Sequence, residues 1–374
     1  MNVVHVVPIL NVGGIWRHLL STVQNAASGD RHTVVVLFEY RPDFALQSLN
    51  GNIEILQIGP PEFRRQSRVF PKLIEALINL KPDILHSHHF YSDIFAIPAA
   101  RSLALPLIRS VHGITQIDPD APDGARVPRF DWSASEISRE MELESSVNRT
   151  IAVSQDLKQR LISYGFSENS IEVLYPAVET AHFAIETSPR ICSRVFQVGF
   201  VGRLEPVKNP LILPLIAAAT KSASQSMSFK ILGHGRLYDS LQKAIRDAAL
   251  DNIQILPETP LVAQEMRTFD ALIVPSLSEG VPHVILEAMA SRVPVVASPV
   301  GGIPEVIEDR VTGHLCHHAN VECFAQRLLE FSQNDSETRA MTERAFIEVK
   351  SRFEAKNQYA QLQTIYRNVL KTGP

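Results

Sequence analysis

The sequence predicts an α/β protein in which two parallel β-sheets follow one another along the chain. Short runs rich in β-branched residues alternate with amphipathic stretches, as expected when helices cover both faces of a parallel sheet. After the proline-containing segment 175–189, the pattern starts again with a strand and a glycine turn. The length of 374 residues also suits two domains. We therefore predict two doubly wound domains, 1–178 and 179–350.

Apolar, β-branched runs give the expected strands of each half. These strands are 3–10, 33–38, 53–58, 83–88, 106–111 and 150–153 in the first half, and 196–201, 228–232, 253–256, 271–275 and 295–298 in the second. Apolar residues at helical spacing predict helices over 16–25, 71–80, 93–103 and 155–164. The amphipathic stretch 351–374 has no strand after it, so we predict a helix that packs back onto the first domain.

Composition and charge exclude some functional classes. Apolar residues make up 45% and charged residues 20% of the chain, which suffices for two buried cores and excludes a largely disordered protein. The net charge of −4 gives no overall attraction to polyanions, so we do not expect a dedicated nucleic-acid binder.

Hydrophobic patterning predicts neither a membrane span nor a signal peptide. The longest apolar runs are about half the ~18 residues that a spanning helix needs, and the N-terminus has no basic region. Cys192, Cys316 and Cys323 are too few for a disulfide framework, and an odd count suits a reducing compartment. We therefore expect free thiols and a cytoplasmic location.

The candidate functional residues are those that follow the predicted strands. Ligands of open parallel sheets bind outside the carboxyl ends of the strands. Two such sheets that face each other would enclose a cleft, which is a usual place for a pair of substrates.

Two glutamates eight residues apart follow the predicted strand 271–275. Glu279 lies in a loop with Gly280, and Glu287 lies one turn inside a helix that should begin near Val284. Both carboxylates can then face one ligand, while amides at the helix N-terminus bind a diphosphate or hydroxyl groups. Glu287 could accept both hydroxyls of a ribose. The alternative is that the two carboxylates only complement the helix dipole.

A pair of cations follows the first strand of the second half. That strand ends at Gly202, and Arg203 and Lys208 come five residues apart across a short turn. Arginine can bind a phosphate through two N–H groups and lysine acts as a mobile point charge, so the pair can converge on one anionic group. The alternative is a solvated basic loop.

Glycine turns follow strands in both halves. They contain Gly13 and Gly14 in the first half, and Gly233 and Gly235 in the second. Amides without a nearby Cβ can approach a phosphate, although tight-turn geometry explains such glycines as well. The sequence has neither GxGxxG nor GxxxxGK[ST], so it carries no dinucleotide or P-loop signature.

Several histidines lie at or near strand ends. His112 directly follows a predicted strand, where its imidazole can hydrogen-bond a hydroxyl or a developing charge, with a structural role as the alternative. His86, His88 and His89 resemble metal ligands. Because successive strand residues point to opposite faces and no matching carboxylates accompany them, we favour structural or substrate-contacting roles.

Taken together, these residues resemble the retaining glycosyltransferase family 4. The features that carry the resemblance are Gly13-Gly14, His112, Arg203 with Lys208, Glu279 with Glu287, and Gly301-Gly302-Ile303-Pro304-Glu305. The stretch 275–313 is its most specific part. The resemblance implies the GT-B fold, in which two Rossmann-like domains face each other across a cleft. The domain 1–178 would bind the acceptor, and 179–350 would bind the donor.

The implied reaction transfers a sugar from a nucleotide-diphosphate sugar to a hydroxyl acceptor, with the anomeric configuration retained. It needs no enzyme nucleophile, no cofactor and no metal. A UDP-sugar is the favoured donor and a GDP-sugar the second choice. Arg203 and Lys208 would hold the diphosphate and neutralise the leaving group. Glu287 would bind the ribose.

The resemblance also implies roles for the remaining candidates. Glu279 would hold donor-sugar hydroxyls, His112 would contact the sugar near its anomeric carbon, and the Gly14 amide would approach the phosphates when the domains close. His112, Arg203, Lys208 and Glu279 form the catalytic set. The donor-binding set is Gly13, Gly14, Gly202, Gly233, Gly235, Gly280, Val281, Pro282, His283, Val284 and Glu287. Many family members have Phe-Gly where this chain has Val281-Pro282-His283, which leaves the donor sugar open.

Two other segments carry weaker signals. Asp118-Pro119-Asp120 has the DxD pattern of metal-dependent sugar transferases, but it lies in the wrong topological place, so we predict no metal site. The segment 63–72 mixes arginines and phenylalanines, which could contact the anionic inner membrane surface. A solvated loop is the favoured interpretation of this segment.

The expected acceptor is a sugar or a lipid-linked glycan, in the synthesis of a cell-surface polysaccharide or glycolipid. One alternative is a sugar-nucleotide epimerase of the same fold, which would release a changed monosaccharide without an acceptor. A phosphorylase would need a lysine for pyridoxal phosphate and a longer chain. A non-catalytic nucleotide-sugar-binding protein would tolerate the loss of His112.

Overall fold

The chain divides into two compact units. The computed structural model describes residues 1–9, 17, 19–20, 23–38, 53–59, 69–88, 90–114, 116–117, 128–129, 133–184, 195–221, 227–259, 261–333 and 335–372. Met1–Ile114, Asp131–Ala177 and Ala355–Pro374 form the first unit. Thr115–Phe130 and Val178–Glu354 form the second, which therefore includes a segment that we assigned to the first domain.

The first unit contains a 7-stranded parallel sheet. Up to residue 177 the strands are β1 (Asn2–Val7), β2 (Arg31–Val36), β3 (Ile53–Gln57), β4 (Ile84–His88), β5 (Leu107–Val111), β6 (Gln116–Ile117), β7 (Pro128–Arg129), β8 (Arg149–Ala152) and β9 (Ile171–Val173). The described helices are α1 (Val69–Leu80), α2 (Phe90–Leu103), α3 (Ala134–Glu144) and α4 (Gln155–Ser163). The sheet order is β3-β2-β1-β4-β5-β8-β9, and β6 and β7 form a separate antiparallel pair.

Both faces of the first sheet are buried. On one face Val4 and Leu85 join a core with residues of α1 and α2. On the opposite face Val3, Ile84 and Ile108 form a second core. Because successive strand residues point to opposite faces, a strand buried on both sides appears in the sequence as a continuous apolar run.

The strands predicted in the first half are confirmed to within a few residues at each end. We did not predict β9, which is only 3 residues long and carries an exposed Glu172 at its centre. Such a short run has too few apolar positions to stand out from a loop. Within the predicted helix 16–25, residues 16, 18, 21 and 22 lie outside the described residues, and residues 17, 19, 20 and 23 are helical.

The second unit contains a 6-stranded parallel sheet in the order β12-β11-β10-β13-β14-β15. Its strands are β10 (Phe196–Val201), β11 (Met227–Leu232), β12 (Ile253–Leu256), β13 (Ala271–Val274), β14 (Val295–Ala297) and β15 (His314–Leu315). Its described helices are α5 (Thr180–Phe183), α6 (Leu213–Thr220), α7 (Tyr238–Asp247), α8 (Val262–Met266), α9 (His283–Ala290), α10 (Val321–Gln333) and α11 (Asp335–Arg352). These two parallel sheets confirm the predicted α/β class.

The order of the second sheet reverses beside β10. The chain continues from β10 to β11 and β12 on one side, and then returns to place β13 on the other side of β10. The loops that follow β10 and β13 therefore leave the sheet in opposite directions. Such a topological switch point opens a crevice at the carboxyl edge.

The prediction of three free thiols is wrong for two of the cysteines. Cys316 and Cys323 form a disulfide with their Cα atoms 5.8 Å apart. Cys316 directly follows β15, and Cys323 lies in the first turn of α10. The short connection between them reverses the chain and brings the two cysteines together. An odd number of cysteines in the sequence does not exclude such a pair. Cys192 lies outside the described residues.

Reduction of this disulfide should destabilise the second unit. The bond closes a loop with a sequence separation of 7 residues. The chain-entropy relation gives a loss of about 2 kcal/mol in the free energy of unfolding for so short a loop. Urea unfolding of the oxidised protein and of Cys316→Ser checks this, with Cys192→Ser as the control that retains the bond. Alkylation of all three thiols in the unreduced, unfolded protein would contradict it.

The C-terminal helix, α12 (Ala355–Thr372), belongs to the first unit. We predicted one helix from residue 351, but α11 ends at Arg352 and α12 begins after a break at residues 353–354. Leu362, Tyr366 and Val369 of α12 join the core that contains Val3. Among the helices that the structure describes, none is long and apolar enough to cross a bilayer.

Candidate functional site

The candidate site in the second unit lies where three neighbouring strands end. Gly202 follows β10, Gly233 follows β11, and Pro275 follows β13. These strands are adjacent and parallel, so their carboxyl ends share one edge of the sheet. The second-unit residues that we predicted to bind a donor therefore fall on or next to the loops of this edge.

Lys208 and Glu279 form an ion pair between the loops at the switch point. Lys208 ends a 3-10 turn over Pro206–Lys208, and its Nζ donates a hydrogen bond to Glu279 Oε1. Ser276 Oγ donates to the same oxygen at 2.7 Å. The side chains are 23% and 10% exposed, so the pair is partly buried yet open to a ligand. The sequence predicts both residues as site residues but does not predict their contact.

The backbone also joins the 202–209 loop, which follows β10, to the 275–282 loop, which follows β13. The Leu277 amide donates a hydrogen bond to the Val207 carbonyl at 2.8 Å. Asn209, directly after Lys208, adopts the left-handed conformation with φ 51°. The Asn209 Nδ2 donates to the His318 carbonyl at 3.1 Å, which ties this turn to the loop closed by the disulfide.

Gly301 packs directly against the backbone of the 275–282 loop. Its φ is +56°, and a Cβ at this position would lie 1.8 Å from the Glu279 carbonyl oxygen. The neighbouring Gly302 amide donates to the Gly280 carbonyl at 2.7 Å. Only a residue without a Cβ fits such an approach in the left-handed region. The trailing glycine pair therefore shapes the backbone that carries Glu279.

The glycine turn after β11 is required by close packing of two loops. A Cβ on Gly233 would lie 1.9 Å from the Gly202 carbonyl oxygen, and one on Gly235 would lie 2.6 Å from that of Leu204. The Leu204 amide donates to the His234 carbonyl at 2.9 Å. A Cβ on Gly202 would make only ordinary contacts. Thus Gly233 and Gly235 are needed because they let the loop after β11 pack closely against the loop after β10.

Helix α9 presents its N-terminus at the same edge. It begins at His283, one residue before the predicted start, and Pro282 precedes it without a side-chain cap. The first amides of a helix lack partners within the helix and favour anionic ligands. Glu287 lies one turn inside and is buried, at 4% exposure. Val281 is also buried, whereas His283 and Val284 are partly exposed.

Arg203 and a second ion pair complete the 202–209 loop. Arg203 is exposed, and its carbonyl accepts a hydrogen bond from the Glu205 amide at 2.8 Å. Glu205 Oε2 accepts from Arg236 Nε at 2.6 Å. This ion pair links the loops after β10 and β11. Sequence patterns do not predict this ion pair, because only the adjacency of the two strands brings the residues together.

In the first unit, His112 follows β5 and is half-buried. A Cβ on the following Gly113 would meet open space, so that glycine is not required sterically. The His112 ring lies 5.9 Å from the His88 ring, centroid to centroid. The predicted residues Gly13, Gly14, His89, Asp118 to Asp120 and most of 63–72 lie outside the described residues.

A buried ionic cluster supports the strand that leads to His112. Arg109 of β5 donates to Glu140 Oε2 at 2.6 Å and lies 3.5 Å from Asp93 Oδ2. Burial raises the pKa of Asp93 to about 6, although Arg109 and a hydrogen bond from Ser87 favour its ionised form. The cluster joins α2 and α3 to β5. A shift of β5 would separate these buried charges, and a buried charge without its partner is strongly destabilising. The cluster therefore helps to hold β5 in place.

His5, His86 and His88 form a cluster in which one ring nitrogen of each lies within 4.8 Å of the others. Both nitrogens of His5 contact other histidines, and both nitrogens of His86 contact hydroxyls of Tyr366 and Ser110. We therefore interpret the cluster as a hydrogen-bonded network and not as a metal centre. We did not predict His5 as a member of this cluster, although the i, i+2 spacing of His86 and His88 indicates one shared face of β4.

His32, which contacts His5, should make the first unit sensitive to acid. Burial lowers the pKa of His32 to about 4, while an unfolded histidine titrates at 6.5. The unfolded state therefore gains a proton first as pH falls, and stability decreases from pH 6.5 towards pH 4. Between pH 7 and pH 5 the loss should be about 2 kcal/mol.

Urea unfolding at these two pH values checks this prediction against His32→Gln. The variant should lose about 2 kcal/mol less than the unmodified protein over the same interval. Parallel pH dependence in the two proteins would contradict it.

Both halves of the chain match known families of glycosyltransferases. Residues 187–347 match the family described as Glycosyl transferases group 1, and residues 12–182 match Glycosyltransferase Family 4. The two parallel-sheet units have the architecture of the GT-B class of glycosyltransferases. Within that class, the chain belongs to glycosyltransferase family 4.

Solved structures share the fold over nearly the whole chain. HepE from Anabaena, solved in complex with UDP and glucose, has a TM-score of 0.82 at 19% identity and covers 98% of this chain and 100% of its own. Sucrose-phosphate synthase from Thermosynechococcus elongatus has a TM-score of 0.83 at 16% identity, with both chains fully covered.

Curated relatives are similar over part of their length. The D-inositol 3-phosphate glycosyltransferase of Pseudarthrobacter chlorophenolicus is 28% identical over 252 residues, or 63% of this chain. That of Mycolicibacterium gilvum is 28% identical over 267 residues, or 68% of this chain. In both cases the chain spans 60% of the relative's length.

Proposed function

We propose that this protein transfers a sugar from a nucleotide-diphosphate sugar to a hydroxyl acceptor, with retention of the anomeric configuration. The observation that carries the proposal is the contact between Lys208 and Glu279 at the topological switch point of the second sheet. A cation and a carboxylate meet there beside a helix N-terminus. This combination suits a ligand with an anionic diphosphate and a neutral sugar.

Donor binding exchanges the ion pair for contacts with the ligand. The diphosphate attracts Lys208 Nζ, together with the exposed guanidinium of Arg203. Glu279 then accepts hydrogen bonds from sugar hydroxyls, oriented by Ser276 Oγ, which lies 2.7 Å from Glu279 Oε1 in this structure. Because Lys208 and Arg203 balance the charge that develops on the leaving diphosphate, they lower the barrier to transfer.

The nucleotide is held by the helix that follows. The amides of Gly280 to Val284 approach the donor, and Glu287, one turn inside α9, accepts the ribose hydroxyls. A UDP-sugar is the favoured donor, with a GDP-sugar second. The Anabaena neighbour crystallised with UDP-glucose supports this choice. Pro282 and His283 distinguish this loop from the usual family pattern and so bear on which sugar fits.

The first unit supplies the acceptor side in this proposal. His112 contacts the donor sugar near its anomeric carbon, and Gly14 approaches the phosphates. A phosphate oxygen of the donor takes the proton of the attacking hydroxyl, so neither an enzyme nucleophile nor a metal is needed. The acceptor is a sugar or lipid-linked glycan of a cell-surface polysaccharide or glycolipid. The enzyme works in the cytoplasm.

A panel of UDP-, GDP- and ADP-sugars tests the proposal. The consumption of each donor is followed by NMR with and without simple glycoside acceptors, and the reaction is repeated with a chelator. We expect a UDP-sugar to be consumed fastest, to yield product of retained configuration, and to react equally with the chelator present.

Each alternative predicts a different result in the same assay. A changed monosaccharide released without an acceptor would identify an epimerase. Binding without turnover under every condition would identify a non-catalytic binding protein. Failure to bind any of these donors would contradict the proposed function altogether.

A further inference from the structure

A row of buried polar side chains crosses one face of the first sheet. His32 of β2, His5 of β1 and His88 of β4 lie on three neighbouring strands, and each is at most 1% exposed. His5 Nε2 lies 2.9 Å from His32 Nδ1, and His5 Nδ1 lies 3.0 Å from His88 Nε2. Burying an imidazole costs free energy unless the ring is hydrogen-bonded, and an apolar side chain would fill the same space without that cost. Such a row therefore calls for a reason beyond packing.

The row continues into α12 and ends at Asp30. His32 Nε2 lies 3.0 Å from the Tyr359 hydroxyl oxygen, and that hydroxyl donates to Asp30 Oδ2 at 2.8 Å. Gln363 also donates to this carboxylate oxygen, at 2.7 Å. We call the chain Asp30, Tyr359, His32, His5 and His88 the histidine relay.

The carboxylate at one end sets the direction of every proton in the relay. Burial opposes ionisation of Asp30, but hydrogen bonds from the surrounding donors lower the pKa of its carboxyl below the usual value. An ionised carboxylate can only accept, so the single hydroxyl proton of Tyr359 points to Asp30. The Tyr359 oxygen must then accept from His32 Nε2.

The direction of the hydrogen bonds is then set for each histidine in turn. Burial lowers the pKa of His32 to about 4, so the ring is neutral at pH 7 and carries its lone pair on Nδ1. That lone pair accepts the Nε2 proton of His5. The Nδ1 lone pair of a neutral His5 accepts in turn from His88 Nε2. All three rings are therefore held as Nε2–H tautomers.

The far end of the relay lies beside the predicted catalytic histidine. β4 and β5 are parallel neighbours, so His88, the last residue of β4, and His112, directly after β5, lie at the same edge. Their ring centroids are 5.9 Å apart and the rings are inclined at 31°. His88 is thus the relay member whose ring faces the neighbourhood of His112.

We propose that the histidine relay positions His112 for sugar transfer by holding His88 in one orientation and one uncharged tautomer. This inference rests on the proposed function, which puts His112 near the anomeric carbon. A rotated His88 would change the wall against which the His112 ring rests. A charged His88 would oppose the positive charge that develops at the anomeric carbon during transfer. Members of the relay are positioning residues, since they act through His112.

Two matched tyrosine variants on α12 test the relay. Tyr359→Phe removes the hydroxyl that links His32 to Asp30. Tyr366→Phe is the control, because it also removes a buried hydroxyl bonded to a histidine, at 2.7 Å from His86 Nδ1. The His86 ring packs against that of His88 with centroids 4.1 Å apart, but its hydrogen bonds to Tyr366 and Ser110 are separate from the relay. Nitrogen-15 NMR of the histidine side chains, recorded in the absence of substrate, identifies the tautomers. Steady-state kinetics with the donor found in the panel reads kcat and KM separately.

We expect Nε2–H tautomers for His5, His32 and His88 in the unmodified protein. Tyr359→Phe should change these signals and that of His112, and it should lower kcat about tenfold with KM changed less than about twofold. Tyr366→Phe should leave the His112 signal and kcat within about twofold of the unmodified protein.

The outcomes separate this inference from the proposed function. Any Nδ1–H tautomer among the three rings would overturn the relay, whether or not the variants fold. Unchanged kcat and an unchanged His112 signal in Tyr359→Phe would overturn the positioning role while leaving sugar transfer intact. The expected tautomers in a protein that turns over no nucleotide sugar would overturn the proposed function and keep the tautomer assignment.

Discussion

Lys208→Ala should lower kcat/KM for the nucleotide sugar by about a thousandfold. The variant loses the cation that balances charge on the leaving diphosphate, and Glu279 loses the partner that holds it at the switch point. The protein should remain folded, because a partly exposed ion pair contributes about 1 kcal/mol or less to stability. Initial rates with the donor identified by the panel measure the effect, and circular dichroism verifies the fold.

Lys230→Ala is the matched control for this prediction. Lys230 of β11 pairs with Glu265, and its side chain is 20% exposed against 23% for Lys208. Both variants therefore remove one lysine from a comparable ion pair in the same unit, but only Lys208 lies on a loop at the carboxyl edge. Turnover should change less than about twofold in Lys230→Ala. Equal losses in the two variants would show that general destabilisation, and not the lost phosphate contact, causes the effect.

Gly301→Ala should impair both stability and turnover. The added Cβ would lie 1.8 Å from the Glu279 carbonyl oxygen, at a φ of +56° that alanine adopts with strain. The strain and the forced shift of backbone together should lower the free energy of unfolding by about 3 kcal/mol. The displaced 275–282 loop should lower turnover about a hundredfold, because it carries Glu279. Urea unfolding and donor kinetics on the same preparation measure both effects.

Gly29→Ala isolates the effect of the added methyl group. A Cβ on Gly29 meets nothing within 4 Å. The free energy of unfolding of Gly29→Ala should therefore stay within about 0.5 kcal/mol of that of the unmodified protein. If Gly301→Ala proves as benign as Gly29→Ala, the 275–282 loop does not have the backbone described here.

The strands and the residues at their ends follow from local sequence. A strand buried on both faces is predominantly apolar, so β1, β10 and β13 are visible without any tertiary information. Lys208 and Glu279 could be selected because each follows such a run. The Gly301-Gly302 pair is equally visible, but the close approach to the Glu279 carbonyl that requires Gly301 is not.

Contacts between distant segments could not be predicted in this way. The ion pair of Lys208 with Glu279 depends on β13 returning to the side of β10, which is a property of sheet order. The histidine relay depends on β2, β1 and β4 being neighbours and on α12 covering them. The disulfide depends on a reversal between β15 and α10 that no spacing rule specifies.

Amide hydrogen exchange with and without a saturating UDP-sugar tests the central claim most directly. If the donor diphosphate binds where the second sheet reverses its order, amides of the 202–209 and 275–282 loops should exchange more slowly in the complex. Lys208→Ala should abolish that protection at the same donor concentration, and Lys230→Ala should retain it. Donor binding that leaves both loops unprotected in the unmodified protein would contradict the account.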